Sequence, residues 1–381
     1  MVTYTPTPTR GIDNETRKLY KRRRREVRFD GHMVVHRFSL FSEGRSPILR
    51  ALRYCLCALK HFNRGVFSRD ARSCDIMCIA STPPIQGAMA ALVKKIRHIP
   101  LVYNLQDIFP DSLVGAGMTH KGSLLWKIGR IIEDFTYKNA DRIIVISEDF
   151  KRNIMAKGVP EEKIALIYNW VDESFIVPVQ DEENELFEEF GVCREKFRVV
   201  YAGNLGNAQN IELIVDAAKQ MWQNNNKDIE FIIFGSGGLE EMIKERKEME
   251  HLDNLKLFPL QPYERVAKVY GLGHVCVVAC KTGLGGAAMP SKTWSIMSSG
   301  RAVLASFDEG ELKNIIENND CGIFTHAGNV AEFVNAIQML SKDPGRCQRM
   351  GVNSRQFILK NLTKEVGTQK YVDVIKSFEK K

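Results

Sequence analysis

The sequence predicts an α/β protein built from two doubly wound domains, and three observations carry that reading. Short β-branched runs alternate with longer amphipathic stretches along the whole chain. Several runs, such as Val199-Val200-Tyr201 and Phe231-Ile232-Ile233-Phe234, are apolar at consecutive positions. That suits strands covered on both faces, and so a parallel sheet flanked by helices. The length, 381 residues, exceeds what one hydrophobic core usually serves, so two domains are expected.

In order, the first half offers strands at 33–38, 75–80, 101–104, 142–147 and 164–168. Before the first lies the basic run Lys21 to Arg25 (KRRRR), read as a solvated helix face or loop. The stretch 47–62 is helical in period, with Ile48, Leu49, Leu52, Cys55, Leu56 and Leu59 as an apolar stripe beside Arg50, Arg53 and Lys60. Two readings stay open for it, a helix covering the sheet or a surface for an anionic membrane. The boundary follows Asn169-Trp170-Val171-Asp172, where the acidic, weakly periodic stretch 181–185 separates two strand-rich halves. Strand order restarts at Phe197, with runs at 198–202, 230–234, 254–258, 274–279 and 302–306. The last segment, 363–381, is amphipathic, and its period leaves open which domain it packs on.

Composition narrows the class. With 44% hydrophobic and 26% charged residues the chain is globular, not disordered. No run approaches the roughly 20 apolar residues of a spanning helix, and Met1 to Pro6 does not read as a secretory signal. Nine cysteines without metal-ligand spacing suggest reduced thiols in a cytosol. The net charge of +8 fits nucleic acid, an anionic membrane or phosphorylated substrates. No nucleic-acid module surrounds the basic run, so nucleic acid is not expected as a partner.

Ligands of open parallel sheets bind beyond the carboxyl ends of strands, so the turns there are the candidate sites. Gly203-Asn204-Leu205-Gly206 with Gln209 leaves a strand and enters a helix near Asn210; Gly235-Ser236-Gly237 repeats the geometry. Glycines admit a ligand close to the backbone, and a helix N-terminus offers N–H groups to phosphate. Neither turn matches the dinucleotide fingerprint or the P-loop. A third turn, 282–292, is glycine-dense and ends Met289-Pro290-Ser291-Lys292, aiming a hydroxyl and an ammonium at one anion. In the first half, Gln106-Asp107-Ile108-Phe109-Pro110-Asp111-Ser112 directly follows a strand; Asp107 and Asp111 suit hydroxyls or a leaving proton, with a helix cap as the rival role for Asp111. The chain holds no Asp-x-Asp and no HExxH, so no metal and no cofactor is expected.

These turns in this order resemble glycosyltransferase family 4, in particular the WbuB-type branch found in O-antigen, capsule and colanic-acid gene clusters. The resemblance runs from about Cys74 to the C-terminus. Its marks are Ser81-Thr82-Pro83-Pro84, the segment 106–112, Ala140 to Ser147, Tyr168 to Asp172, the Gly203 turn with Gln209, and Met289 to Trp294 leading into Met297 to Val303. It implies a GT-B fold of two Rossmann-like domains facing a cleft, residues 1–175 and 190–360, with a C-terminal helix at 363–381 crossing back to the first. The activity implied is retaining transfer from a nucleotide-sugar, tilted toward UDP-linked N-acetylated hexoses or deoxyhexoses, to a polyprenyl-diphosphate-linked glycan. The enzyme would be cytoplasmic and peripheral on the inner membrane face.

Residue by residue, the resemblance puts Gly203, Asn204, Gly206, Gln209, Pro290, Ser291 and Lys292 at the donor diphosphate. It puts Gly235, Ser236, Gly237, Leu260 and Gln261 near the base, and Pro83, Gln106, Asp107, Phe109 and Asp111 at the acceptor. Asp107 and Lys292 are the catalytic candidates. The family's two glutamates read here as Ala287 and Ser295, which moves the ribose contact toward Glu311. Asn204 and Gln209 stand where many relatives carry Arg and Lys, leaving Lys292, with Lys281 behind it, to supply charge. The family's first strand, glycine-rich loop and helix have no counterpart in this sequence, where residues 2–4 stand near the place of its second strand. Two other classes remain, a nucleotide-sugar 2-epimerase and a non-catalytic nucleotide-sugar binder.

Overall fold

The structure, a computed structural model, describes residues 1–8, 13–41, 46–115 and 117–379, without the side chains of Pro47 and Ala287. It separates into two compact units: Met1–Val145 with Lys151–Leu166 and the residues from Asp373, and Ile146–Phe150 with Ile167–Val372.

The first unit runs β1 (Val2–Pro6), α1 (Asn14–Arg22), β2 (Arg25–Arg28), β3 (Met33–Phe38), α2 (Pro47–Phe67), α3 (Arg69–Arg72), β4 (Met77–Ala80), α4 (Ile85–Arg97), β5 (Leu101–Leu105), α5 (Asp111–Gly115), α6 (Leu124–Asn139) and β6 (Arg142–Val145). It is completed by the later part of α7 (Glu148–Ala156) and by β7 (Ile164–Leu166). Its strands form two sheets. One has the order β1-β3-β2, with β2 antiparallel; the other, β4-β5-β6-β7, is parallel throughout. Strand β2 is a correction: the basic run ends α1, and Arg25 then begins a strand whose Glu26 pairs with Arg28 and Arg37. Alternation in Arg-Glu-Val-Arg is hard to see when three of four residues are charged.

Helix α2 turns its sequence stripe outward. Ile48, Leu49, Leu52, Cys55 and Leu59 are exposed and Leu56 half-buried, while Ala58, Val66 and the partly buried Phe62 pack with Met89 and Val93 of α4. Arg53, expected beside the stripe, is buried and donates to the Phe41 carbonyl. No helix among the described residues is long and apolar enough to cross a membrane.

The second unit contains α8 (Leu186–Glu189), β8 (Phe197–Asn204), α9 (Ile211–Gln223), β9 (Ile229–Ser236), α10 (Glu240–Met249), β10 (Leu255–Pro259), α11 (Val266–Gly271), β11 (Val275–Ala279), α12 (Lys292–Ser298), β12 (Ala302–Phe307), α13 (Glu311–Asn318), β13 (Gly322–His326), α14 (Val330–Ser341), α15 (Pro344–Asn361) and α16 (Lys364–Lys376), which ends in the first unit. All six strands are parallel, in the order β10-β9-β8-β11-β12-β13. Residues 197–202 and 302–307 are buried without interruption, as expected of strands covered on both faces. One face carries α9, α10 and α14 over Val199, Phe231, Val277 and Leu304. Strand β13 was missed in the sequence because only Ile323 and Phe324 are large and apolar in it.

The acidic stretch expected between the halves is held by the second unit. Arg198, almost fully buried, donates to the carbonyls of Leu272 (2.5 Å) and Arg194 (2.6 Å) and pairs with Asp181 (2.6 Å). Arg355 donates to the carbonyls of Glu173, Ile176 and Ser298. All nine cysteines are free thiols.

Candidate active site

The strand order of the second unit reverses between β8 and β11, the two strands where a doubly wound sheet opens a crevice at its carboxyl edge. Every turn singled out in this half leaves that edge. After β8 the chain bends at Gly203 (φ +146°), where a side chain would be strained and a methyl group would lie 2.9 Å from Lys292 Nζ. A methyl on Gly235, the register partner of Gly203, would meet the Gly203 carbonyl at 2.6 Å, and one on Gly237 the Leu205 backbone at 2.6 Å. The first two turns therefore nest against each other with no room for side chains, and Leu205 N donates to the Ser236 carbonyl (2.9 Å).

Lys292 comes to this nest from the start of α12. Its ammonium stands 3.5 Å from the centre of the Tyr201 ring, and the Tyr201 hydroxyl donates to the Asn204 carbonyl (2.7 Å). Burial pushes the Lys292 pKa down to about 7, with no carboxylate among the described residues to hold the proton. Ring and ammonium attract, but a ring is a weak substitute for an anion. Tyr201 was not singled out in the sequence, where it reads as one apolar residue of a strand.

The other expected residues fall nearby with mixed duties. Asn204 donates to Gln209 (3.2 Å) around Gly206. Leu260 and Gln261 follow β10, whose Pro259 is the register partner of Gly235; Gln261 donates to the Pro259 carbonyl and accepts from Arg265. Ser291 is exposed, Pro290 and Ser295 half-buried. Lys281 is paired with Glu212 (3.3 Å), so the charge expected behind Lys292 is already partnered. Asp308, missed in the sequence, shapes the glycine-dense turn by accepting from the Gly283 (2.7 Å) and Gly285 (2.8 Å) amides. Glu311 is buried: one carboxylate oxygen accepts from the Glu148 amide (2.6 Å) and the other from the Tyr168 hydroxyl, so a ribose would have to compete with both.

The acceptor candidates belong to the first unit. Asp107 follows β5; burial raises its pKa, and a hydrogen bond from Ser112 works the other way. Pro84, Tyr103, Phe109, Glu133 and Tyr137 line a small cavity with it. Pro83 lies at the matching end of β4, and Gln106 donates to Asn104 (2.8 Å) while its amide donates to Ser81 Oγ (3.0 Å). Phe109 packs on α6 at Gly129, where a methyl would sit 2.8 Å from its ring. Asp111 starts α5 and is engaged by Lys157 (2.8 Å) and Asn153 (3.1 Å), which hold its pKa low against the opposing effect of burial. Lys157 also pairs with the buried Glu133 (2.8 Å), so Asp111 acts as a brace. Among the described residues no group of three His, Cys, Asp or Glu side chains gathers as a metal ligand set.

The two halves correspond to two known sequence families. Residues 16–175 match Glycosyltransferase Family 4, and residues 182–357 match Glycosyl transferases group 1. The chain belongs to glycosyltransferase family 4. It is similar to the probable glycosyltransferase WbjE of Pseudomonas aeruginosa, 26% identical over 74% of this chain and 68% of that protein. It is also similar to the putative colanic acid biosynthesis glycosyl transferase WcaI of Escherichia coli K12, 26% identical over 59% of this chain and 56% of that one. With WcaI the match thus spans little more than half of the relative's length. Among solved structures, Anabaena HepE in complex with UDP superposes with a TM-score of 0.73 over 99% of this chain and 100% of that one, at 15% identity. Sucrose-phosphate synthase of Thermosynechococcus elongatus gives 0.74 over 99% and 98%, at 14% identity. The fold of this family 4 glycosyltransferase is GT-B.

Proposed function

We propose that the protein moves a sugar from a nucleotide diphosphate donor to a lipid-linked glycan during assembly of a bacterial surface polysaccharide, with retention at the anomeric carbon. The observation that carries the donor half is the Lys292 ammonium over Tyr201, beside glycine turns whose backbone carries no side chains at the switch point. HepE has been crystallised with UDP and with UDP-glucose, and WcaI is named for colanic acid; both support the reading. UDP-linked N-acetylated hexoses and deoxyhexoses are the donors we favour.

In this reading Lys292, Ser291 and the amides from Gly203 to Gly206 hold the diphosphate, with Pro290, Asn204 and Gln209 shaping the turns. Residues 235–237 with Leu260 and Gln261 face the base, Ser295 takes a ribose hydroxyl, and Asp107 orients the acceptor hydroxyl. The bond from the anomeric carbon to the phosphate oxygen breaks as the bond to the acceptor oxygen forms on the same face. The acceptor proton passes to the departing diphosphate. The protein contributes position and charge stabilisation.

Product analysis with a panel of UDP-sugars and a polyprenyl-diphosphate-linked acceptor tests this: a new glycosidic product is expected. Epimerised donor without transfer would replace the reading with a 2-epimerase, and binding without turnover with a non-catalytic binder. With Lys292 and backbone amides as the stabilising groups, we expect transfer to survive EDTA. Activity lost to EDTA and restored by Mg²⁺ or Mn²⁺ would contradict the metal-independent part.

A further inference from the structure

Helices α2, α4 and α6 form one layer in the first unit, with α4 packed against both neighbours. The outer face of that layer is apolar on all three. Leu52 (57% exposed) and Leu59 (65%) stand on α2, Ile96 (52%) on α4, and Leu124 (75%), Ile128 (47%) and Ile131 (68%) on α6. On α6 the spacing is i, i+4, i+7, a regular helical stripe turned to solvent while Gly129, Glu133, Thr136 and Tyr137 face inward. Apolar side chains scattered singly on a surface are ordinary; a run of them across three adjoining helices marks an interaction surface.

Charge says what covers it. Helices α2 and α4 hold seven Lys and Arg between them and no Asp or Glu. Of the two acids on α6, Glu133 is buried against Arg130 and Lys157, and Asp134 is paired with Arg130. Arg50, Arg64, Lys95 and Lys127 are exposed around the apolar side chains, with Lys121 in the turn before α6. A second copy of this chain would set the same cations against each other, because a twofold interface pairs one patch with itself. An apolar face ringed by cations fits a sheet of anions over a hydrocarbon boundary.

We propose that the outer face of the α2, α4 and α6 layer docks on an anionic lipid bilayer, its apolar side chains entering the headgroup boundary and its Lys and Arg meeting lipid phosphates. Neither contribution suffices alone: shallow apolar insertion binds weakly, and surface charge is lost as salt rises. The inference rests on the proposed function only in that a lipid-linked acceptor gives the transferase a reason to be at a membrane.

The test uses the full chain sedimented with phosphatidylglycerol-rich vesicles and with phosphatidylcholine vesicles, at low and high salt. Binding to the first alone, and release by salt, are expected. The double variant Ile128→Glu/Ile131→Glu should bind about tenfold more weakly or worse, whereas Met249→Glu, an exposed apolar site on the second unit, should bind as the parent does. Both substituted positions are at the surface, and thermal melts check that the fold is kept. Equal binding by the α6 variant, equal binding to both vesicle types, or self-association that the α6 variant abolishes without vesicle binding would each overturn the inference. Transfer to a water-soluble acceptor, assayed in parallel, separates the two readings. Vesicle binding without transfer by any protein defeats the proposed function alone, and transfer without vesicle binding defeats this inference alone.

Discussion

Lys292→Ala is expected to lower turnover by about 10² or more, the scale of losing one preorganised donor to developing negative charge. The ammonium sits in the nest of glycine turns, where the proposed function puts the diphosphate, so on that reading its loss leaves the departing group with neutral donors only. The pH dependence gives a second readout. Burial holds the Lys292 pKa down to about 7 in the free protein, well below the ordinary 10.5, so its charge changes near neutral pH. A bound diphosphate favours the protonated form, so donor binding should take up a proton and weaken as pH rises above about 7. Calorimetry in buffers of different ionisation enthalpy measures that uptake. The alkaline limb should vanish in Lys292→Ala and flatten in Lys292→Arg, which stays charged. In the unfolded chain the same group keeps its proton up to the usual lysine range, so the folded state gains stability as pH rises from about 7 toward 10.5. Parent-like kinetics in Lys292→Ala would remove Lys292 from the mechanism.

The second large effect is on stability. Arg198→Met should destabilise the second unit by about 3 kcal/mol, the lower end for removing one partner of a buried ion pair, because Asp181 keeps some solvent. Burial pulls the Arg198 pKa down and Asp181 raises it, yet the guanidinium stays charged and binds three sides of its pocket. Methionine fills much of the volume but leaves the Leu272, Arg194 and Lys196 carbonyls without their donor. A fall in the unfolding midpoint on the order of 10 °C is the expected melt. An unchanged melt would mean that the clamp on residues 181–198 carries no net stability.

How far the sequence could be read follows from what each part depends on. Five of the six strands of the second unit were legible; in β8 and β9, buried on both faces, apolar residues stand at consecutive positions. The glycine turns were legible because backbone nested on backbone excludes any side chain. Two strands escaped: β2 is dominated by charge, and β13 has two large apolar residues beside a glycine whose methyl would meet the Val303 carbonyl at 1.9 Å. Partnerships escaped more often than positions. That Glu311 is occupied by Tyr168, Lys281 by Glu212 and Asp111 by Lys157 depends on contacts between residues 46 to 143 positions apart. The same holds for Tyr201, whose role comes from a lysine ninety-one positions further along.

The division of the first unit into two sheets has a consequence for how its backbone meets water. Met77 and Ser81 donate to Pro100 and Asn104, so the alternation of a parallel ladder turns the amides of Cys78 and Ala80 to the edge of β4 that pairs with no strand among the described residues. On β1 the corresponding edge is occupied at one point, where the His61 ring meets the Tyr4 carbonyl at 3.0 Å. Amide hydrogens at 78 and 80 therefore exchange with solvent without any strand having to open, while those of β5, between two neighbours, wait for a wider unfolding event. Such an edge also offers a template for another extended segment, and at high concentration β4 is a place where a foreign strand could add.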